Sequence, residues 1–201
     1  MIPTNVYAEM TPNPRTMKFV ADRLLVSGDG VAEYAAISET KGSSTLAEQL
    51  FAFPFVRGVF IMSNFITITK SEDIDWDLIV YELREFIREF LMNNEQAVEK
   101  VPKVEQAADS PTSISDAPQE EVIPTEFDDQ IKSILKEYVQ PAVESDGGLI
   151  DFKSFKGGVV TVTLRGACSG CPSSVSTLKG GIETMLTQMM PEVKTVVAEE
   201  L

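Results

Sequence analysis

The segment that divides this sequence is Asn93–Pro124, NNEQAVEKVPKVEQAADSPTSISDAPQEEVIP. It contains four prolines, no aromatic residue, and seven acidic against two basic side chains. Because such a segment cannot bury enough apolar surface to offset its chain entropy, it indicates a disordered acidic linker. A polar loop of this length inside one domain is uncommon. The sequence therefore predicts two domains, at residues 1–92 and 125–201, joined by a linker at residues 93–124.

The first part has the pattern of a small α+β domain. Val59–Met62 and Phe65–Thr69 are β-branched and aromatic runs on either side of Ser63-Asn64, which predicts a hairpin with a two-residue turn. Apolar residues recur at helical spacing between Asp75 and Asn93, which predicts an amphipathic helix. Three further elements are expected: strands near Met17–Val20 and Tyr34–Ile37, and a short helix around Thr45–Phe51.

The second part predicts a smaller α+β domain in the order α-β-β-α-β. A helix with Thr125 as its N-cap is expected to open it, with one apolar face formed by Ile131, Ile134, Leu135, Tyr138 and Val139. Two strands joined at Lys156-Gly157-Gly158, a helix that starts near Pro172 and ends before Pro191, and a last edge strand follow. The strands are expected at Leu149–Phe155, Val159–Leu164 and Val193–Ala198.

Charge and cysteine content exclude several classes of partner and compartment. The formal net charge of −14 and the lack of a Lys/Arg cluster argue against binding to nucleic acid or to an anionic membrane surface. No run of about 18 apolar residues occurs, and the first residues resemble neither a secretory signal nor a transit peptide. Two cysteines do not make a disulfide framework, so a cytosolic protein is expected.

Both cysteines lie in the stretch LRGACSGCPSS, Leu164–Ser174, and the chain has no histidine. Proline is favoured at the first helical position, so Pro172 predicts that Cys171 lies near the helix N-cap and Cys168 just before it. The small residues around them leave backbone amides free. Amides and a helix N-terminus favour thiolates, so both pKa values are expected to be lowered, with both sulfurs at the rim of the loop.

Two thiolates are half of a first coordination shell, because zinc and iron–sulfur sites both take four ligands. The missing ligands must come from outside the chain, and a second copy is the simplest source, which predicts a symmetric homodimer. A site assembled between subunits suits a centre that is passed on better than a permanent structural zinc. A thiol–disulfide redox site, a zinc-bridged interaction module and two unliganded residues in a tight loop remain as alternatives.

The residues resemble a known family. GACSGCPSSVSTLKGGIETML (Gly166–Leu186), with DGGLI (Asp146–Ile150) upstream, resembles the C-terminal domain of NifU over roughly residues 127–201. The first part is similar to the Nfu N-terminal domain through three segments: TPNPRTMKF (Thr11–Phe19), FPFVRGVF (Phe53–Phe60) and FITITK (Phe65–Lys70). Within the first segment, Thr11–Arg15 is either a partner-docking loop or a rigid turn.

The resemblance implies an iron–sulfur cluster carrier or accessory scaffold rather than an enzyme. It implies a [4Fe-4S] cluster bound at a dimer interface by Cys168 and Cys171, and it leaves open whether [2Fe-2S] is also carried. The expected partners are a second copy, an upstream cluster assembly scaffold, and apo iron–sulfur proteins that take the cluster by thiolate ligand exchange. The sequence contains neither the cysteine-rich scaffold domain nor the ferredoxin domain of full-length NifU, which favours a downstream carrier role. In this hypothesis the linker lets the cluster domain swing while the first domain engages targets.

Overall fold

The computed structural model describes residues 2–28, 30–102, 126–169 and 172–200, with the side chains of all of these except 126, 172–174 and 200. It contains two sheet-and-helix domains, as the sequence predicts. Residues 103–125 lie outside this description, and they comprise most of the linker predicted at residues 93–124 and the predicted N-cap Thr125. Among the described residues, no helix is both long enough and apolar enough to span a bilayer.

The first domain is a five-stranded antiparallel sheet. Its strands are β1 Val6–Met10, β2 Thr16–Ala21, β3 Val31–Tyr34, β4 Val56–Met62 and β5 Phe65–Lys70. They lie in the order β1-β2-β5-β4-β3. The predicted hairpin is confirmed: Met62 pairs with Phe65, and Ser63 adopts a φ of 49° in the tight turn between β4 and β5.

Helices cover one face of this sheet. They are α1 Ile37–Thr40, α2 Thr45–Leu50 and α3 Trp76–Asn93. Helix α3 begins after Asp75, contains no glycine or proline, and buries Ile79, Leu83 and Ile87 at intervals of four residues. These side chains pack on Phe19 of β2 and on Ile66 and Ile68 of β5, which places the core of the domain between α3 and the sheet.

The second domain has three strands and a long crossover helix. Its elements are α4 Glu126–Ile134, a π-helical turn Leu135–Val139, α5 Gln140–Ser145, β6 Gly148–Lys156, β7 Val159–Gly166, α6 Pro172–Met189 and β8 Thr195–Glu200. Strand β7 pairs antiparallel with β6 and parallel with β8. A parallel pair needs a crossover, and α6 supplies it. The predicted order α-β-β-α-β is confirmed, and the cysteine loop connects β7 to α6.

The second domain packs on the sheet face of the first domain that the helices leave free. Leu149 of β6 contacts an apolar cluster formed by Val20, Phe60, Met62 and Phe65. Strand β2 is consequently buried along all six residues, since Met17, Phe19 and Ala21 belong to the helix-covered core while Lys18 and Val20 face the second domain.

Several boundaries differ from the prediction. The strand expected at Tyr34–Ile37 ends at Tyr34, and Ile37 begins α1, while β1 was not predicted. Tyr138, assigned to the apolar helix face, is 53% exposed, because the π-helical turn shifts the phase of the helix by one residue.

The predicted linker also begins too early. Ala97 and Val98 are buried in the core of the first domain. The hydroxyl of Ser44 donates to the Ala97 carbonyl at 2.6 Å, and that of Ser43 donates to the Lys100 carbonyl at 2.6 Å. Two buried apolar residues and two hydrogen bonds from serine hydroxyls to backbone carbonyls thus hold this stretch on the first domain, although its composition indicates disorder.

Candidate metal centre

The cysteine loop begins at Gly166, where strand β7 ends in a backbone conformation that favours glycine, with φ 63°. The loop is closed by local hydrogen bonds, since the Ser169 amide and hydroxyl both donate to the Gly166 carbonyl, at 3.2 and 2.9 Å. The Ala167 amide donates to the Gly147 carbonyl at 3.1 Å, which ties the loop to the start of β6. Cys171, the second predicted ligand, lies outside the described residues.

Cys168 is turned into the second domain rather than toward solvent. Its side chain is 7% exposed and belongs to the apolar core that includes Ile150, Leu164 and Ile182. The sulfur lies directly against Gly148, where an added Cβ would be only 2.7 Å from Sγ. For this residue the expectation that both sulfurs lie at the rim of the loop is wrong. The α6 N-terminus follows the loop, but the Cys168 thiol fills a gap in the core.

Burial also reverses the expected acidity of this thiol. Loss of hydration raises the pKa of Cys168 from 9.0 to about 11, and the negative charge of Asp146 adds to the effect. The prediction that backbone amides and the helix N-terminus lower this pKa is therefore wrong in this conformation. The neutral thiol is the stable form here, and a neutral thiol is a poor metal ligand.

Asn13 of the first domain holds the loop on both sides of Cys168. Its Nδ2 donates to the carbonyls of Ala167 and Ser169, each at 3.2 Å, and the residue is 2% exposed. Its Oδ1 accepts from the Arg15 amide at 3.0 Å, so the Thr11–Arg15 segment is a rigid turn. This segment also serves as a docking surface, because Asn13 binds the cysteine loop of the same chain.

Glu33 of β3 binds the start of the loop. Its Oε1 accepts from the Gly166 amide at 3.1 Å, and Oε2 lies 3.8 Å from Nε of Arg165. Burial nevertheless raises the pKa of Glu33, because loss of hydration outweighs the Gly166 hydrogen bond and the Arg165 charge. A cavity of about 500 Å³, lined also by Arg15 and Arg57, opens beside this pair.

The first three residues of the DGGLI stretch, Asp146-Gly147-Gly148, form the turn from α5 into β6. Gly147 has φ 82°. Its carbonyl accepts from the Thr67 hydroxyl at 2.7 Å, in addition to the Ala167 amide. Lys18 Nζ donates to the Ser145 carbonyl at 3.1 Å, at the end of α5. Two glycines allow the turn to approach β2 and β5 on one side and Cys168 on the other.

The structure thus adds residues to the candidate site that the residue pattern did not assign: Asn13, Glu33, Thr67, Gly147 and Gly148. Segments of the resemblance gave a signal for four of them: TPNPRTMKF contains Asn13, FITITK contains Thr67, and DGGLI contains Gly147 and Gly148. Nothing in the local pattern marks Glu33, because its partner Gly166 lies 133 residues away in sequence.

Comparison with known proteins identifies the family. Residues 6–94 match the family model described as "Scaffold protein Nfu/NifU N terminal", and residues 131–197 match the one described as "NifU-like domain". The chain belongs to the NifU-like family. Both domains of this NifU-like chain are therefore accounted for, and both parts of the resemblance seen in the sequence are confirmed.

Two relatives match this NifU-like chain over nearly its whole length. "NifU-like protein 4, mitochondrial" of Arabidopsis thaliana is 34% identical over 196 residues, which cover 96% of this chain and 65% of that protein. "NFU1 iron-sulfur cluster scaffold homolog, mitochondrial" of Drosophila persimilis is 36% identical over 192 residues, covering 95% and 64%. The chain spans less than two thirds of the length of these relatives.

A solved solution structure, a NifU-like protein from Saccharomyces cerevisiae, matches with 26% identity and a TM-score of 0.44, covering 48% of this chain and 85% of that one.

The relatives correct the predicted compartment. The sequence favoured the cytosol because two cysteines without a disulfide framework indicate a reducing environment. Both relatives are named as mitochondrial proteins, which contradicts that prediction. Cysteine content separates oxidising from reducing surroundings, but it does not distinguish one reducing compartment from another.

Proposed function

We propose that this protein is an iron–sulfur cluster carrier that holds a [4Fe-4S] cluster between two copies of the chain, through Cys168 and Cys171 of each. The observation that carries the proposal is the donor set. The chain has two cysteines and no histidine, and both cysteines lie in one loop of a NifU-like domain. Thiolate ligands in a set of four are what iron–sulfur clusters take, and two copies supply four.

The cluster is cargo, and its transfer requires no turnover chemistry from the chain. An upstream assembly scaffold supplies it, and apo iron–sulfur proteins receive it. In each exchange a target thiolate forms an Fe–S bond as the bond to Cys168 or Cys171 breaks. The released cysteine takes up the proton that the target thiol lost, and the cluster is neither oxidised nor reduced. The relatives' names support this role, since one of them is called an iron-sulfur cluster scaffold homolog.

The described conformation is unfavourable both for dithiol redox chemistry and for cluster binding. A redox cysteine attacks as its thiolate, and such sites lower the thiol pKa. Burial raises the pKa of Cys168 to about 11 instead. A cluster ligand must also be a thiolate, so the loop has to leave this conformation before it can bind iron.

Anaerobic reconstitution with iron and sulfide tests the proposal. We expect about four iron and four sulfide per dimer on gel filtration, counted by metal and sulfide analysis, with a brown absorbance band. Cys168→Ala and Cys171→Ala should each abolish it. Ser169→Ala, in the same loop but without a sulfur, should retain it. Two iron and two sulfide would assign a [2Fe-2S] cluster. A colourless monomer, or a dimer that holds only zinc, would overturn the proposal.

A further inference from the structure

The first domain presents an apolar sheet face that fits the second domain. Val20, Phe60, Met62 and Phe65 are each at most 8% exposed, although none of them belongs to the helix-covered core. Leu149 of the second domain packs in this cluster, and Phe60 lies against Gly166, where an added Cβ would be 3.1 Å from its ring. Large contiguous apolar patches are rare on free domains. This face is therefore built to be covered, and what covers it is the start of β6 and the cysteine loop.

Polar contacts around this apolar centre reach the backbone of the cysteine loop and of Gly147, whose carbonyl also accepts from the Ala167 amide. Asn13 donates to the carbonyls of residues 167 and 169, Glu33 accepts from the amide of residue 166, and Thr67 donates to the carbonyl of residue 147. Asn13 and Thr67 are 2% and 1% exposed. Buried side chains that donate to two adjoining backbone segments, residue 147 and residues 166–169, form a specific binding site for them.

The bound loop cannot serve a shared cluster. Residues on both sides of Cys168 are held by the first domain, while its sulfur lies in the core of the second domain, 7% exposed. A bridging cluster requires the sulfur to point outward and a second copy to approach the same loop. The first domain occupies one side of that approach.

We propose that the first domain is a clamp on the cysteine loop: in the apo chain it binds residues 166–169, and residue 147 to which they are bonded, with Cys168 turned inward, and it has to release them before the loop can hold a cluster. The cluster part of this proposal rests on the proposed function. The clamp itself does not, because it concerns the apo chain alone. The clamp gives the first domain, which contains no cysteine, a direct role in cluster loading.

Alkylation of Cys168 tests the clamp. In a Cys171→Ser background, Cys168 is the only thiol in the full chain. Asn13→Asp is nearly isosteric and keeps the oxygen that accepts from Arg15, but it turns a carboxylate toward two carbonyls. We expect iodoacetamide at fixed pH to modify Cys168 at least about tenfold faster in Asn13→Asp than in the background chain, since two buried hydrogen bonds become repulsions.

The matched control is Asn64→Asp. Asn64 also donates to a backbone carbonyl of the first domain, that of Ala21 at 3.1 Å, but it does not contact the loop. The alkylation rate of Cys168 in Asn64→Asp should equal the rate in the background chain. Equal rates in Asn13→Asp and Asn64→Asp would overturn the clamp. The clamp would also be overturned if Cys168 in the folded background chain reacted with iodoacetamide as fast as it does when the chain is unfolded in guanidinium.

Thr67→Val provides a second variant that keeps the sheet intact. It has the same shape and loses only the hydroxyl that donates to Gly147. We expect alkylation to accelerate several-fold, with an unchanged circular dichroism spectrum. If Asn13→Asp fails to fold, Thr67→Val decides alone: no acceleration would overturn the clamp.

Cluster loading tests the release step, with both cysteines present. The initial rate of absorbance increase during reconstitution should be several-fold higher in Asn13→Asp than in the unchanged chain or in Asn64→Asp. Equal loading rates beside accelerated alkylation would overturn the requirement for release. A chain that forms no cluster in any variant would count against the proposed function, while the alkylation rates would still decide whether the first domain clamps the loop.

Discussion

Substitution of Gly148 by alanine tests the position of the Cys168 sulfur directly, because it adds a single carbon against that sulfur. In Gly148→Ala the new Cβ would lie 2.7 Å from the Arg165 carbonyl oxygen and 2.7 Å from Cys168 Sγ. Each distance is about 0.7 Å shorter than the 3.4 Å at which ordinary contact begins. The carbonyl belongs to strand β7, in which Arg165 is paired with Leu149 of β6, so it has little freedom to move. The Cys168 side chain must therefore shift or the β6–β7 pairing must open.

Gly148→Ala should lower the unfolding free energy by a moderate amount. Overpacking of this kind costs about 1 to 3 kcal/mol. Replacing glycine by alanine also lowers the entropy of the unfolded chain, which raises the unfolding free energy by about 0.4 to 1 kcal/mol. The net decrease in unfolding free energy should be about 1 to 2 kcal/mol. Cys168→Ala in the same chain removes the sulfur but leaves the Arg165 carbonyl, so a double-mutant cycle should show a coupling of about 0.5 kcal/mol or more.

Urea unfolding followed by circular dichroism measures the effect. Trp76 is the only tryptophan and lies in α3, so its fluorescence reports separately on the first domain. Gly180→Ala is the matched control, because its Cβ would meet nothing within 4 Å inside helix α6. It should gain about 0.5 to 1 kcal/mol. If Gly148→Ala were as stable as Gly180→Ala, the Cys168 sulfur could not lie against Gly148, and the inward orientation of the thiol would be refuted.

Three further predictions concern titration and the folded segment after α3. Because the folded-state pKa of Cys168 is raised from 9.0 to about 11, its contribution to stability is complete below about pH 9; it should then fall by about 2 to 3 kcal/mol up to pH 11. Urea midpoints of the unchanged chain against Cys168→Ser measure this loss, and parallel pH profiles would contradict it. Since burial raises the pKa of Glu33 above 4.5, its ionisation opposes folding, and Glu33→Gln keeps an acceptor for the Gly166 amide. The unchanged chain should therefore lose stability relative to Glu33→Gln as the pH rises above 4.5, a trend that a pH series of unfolding midpoints checks. Ser44 accepts from the Ala47 amide as the N-cap of α2 and donates to the Ala97 carbonyl, so Ser44→Ala should lower the Trp76-detected stability by about 1 to 2 kcal/mol, whereas the exposed neighbour Thr45→Ala should not.

Local patterns predicted those elements whose stability depends on near neighbours. The β4–β5 hairpin and helix α3 follow from alternation, helical spacing and a polar start, and all of these act over a few residues. Strand β1 was missed because it is a short edge strand whose Tyr7 and Met10 are 52% and 87% exposed, so its alternation is weak. The segment after α3 was assigned to the linker because composition does not register the serine hydroxyls that hold its backbone.

The candidate site could be predicted only in part, for a different reason. The loop and its two cysteines follow from sequence spacing. The state of the Cys168 thiol depends on which surfaces bury it, and those surfaces come from distant segments such as Gly148 and the sheet of the first domain. Amides next to the loop were expected to lower the thiol pKa, but loss of hydration is the larger effect and acts in the opposite direction.

The burial of β2 on both faces has a consequence for how the sequence can vary. In an isolated domain, Val20 and Phe65 would be surface positions, free to accept almost any residue. Here they share one packed layer with Leu149 of the other domain. A change of volume at one of them must be matched at another, so these three positions should covary among sequences that contain both domains, and the covariation should vanish wherever either domain occurs alone.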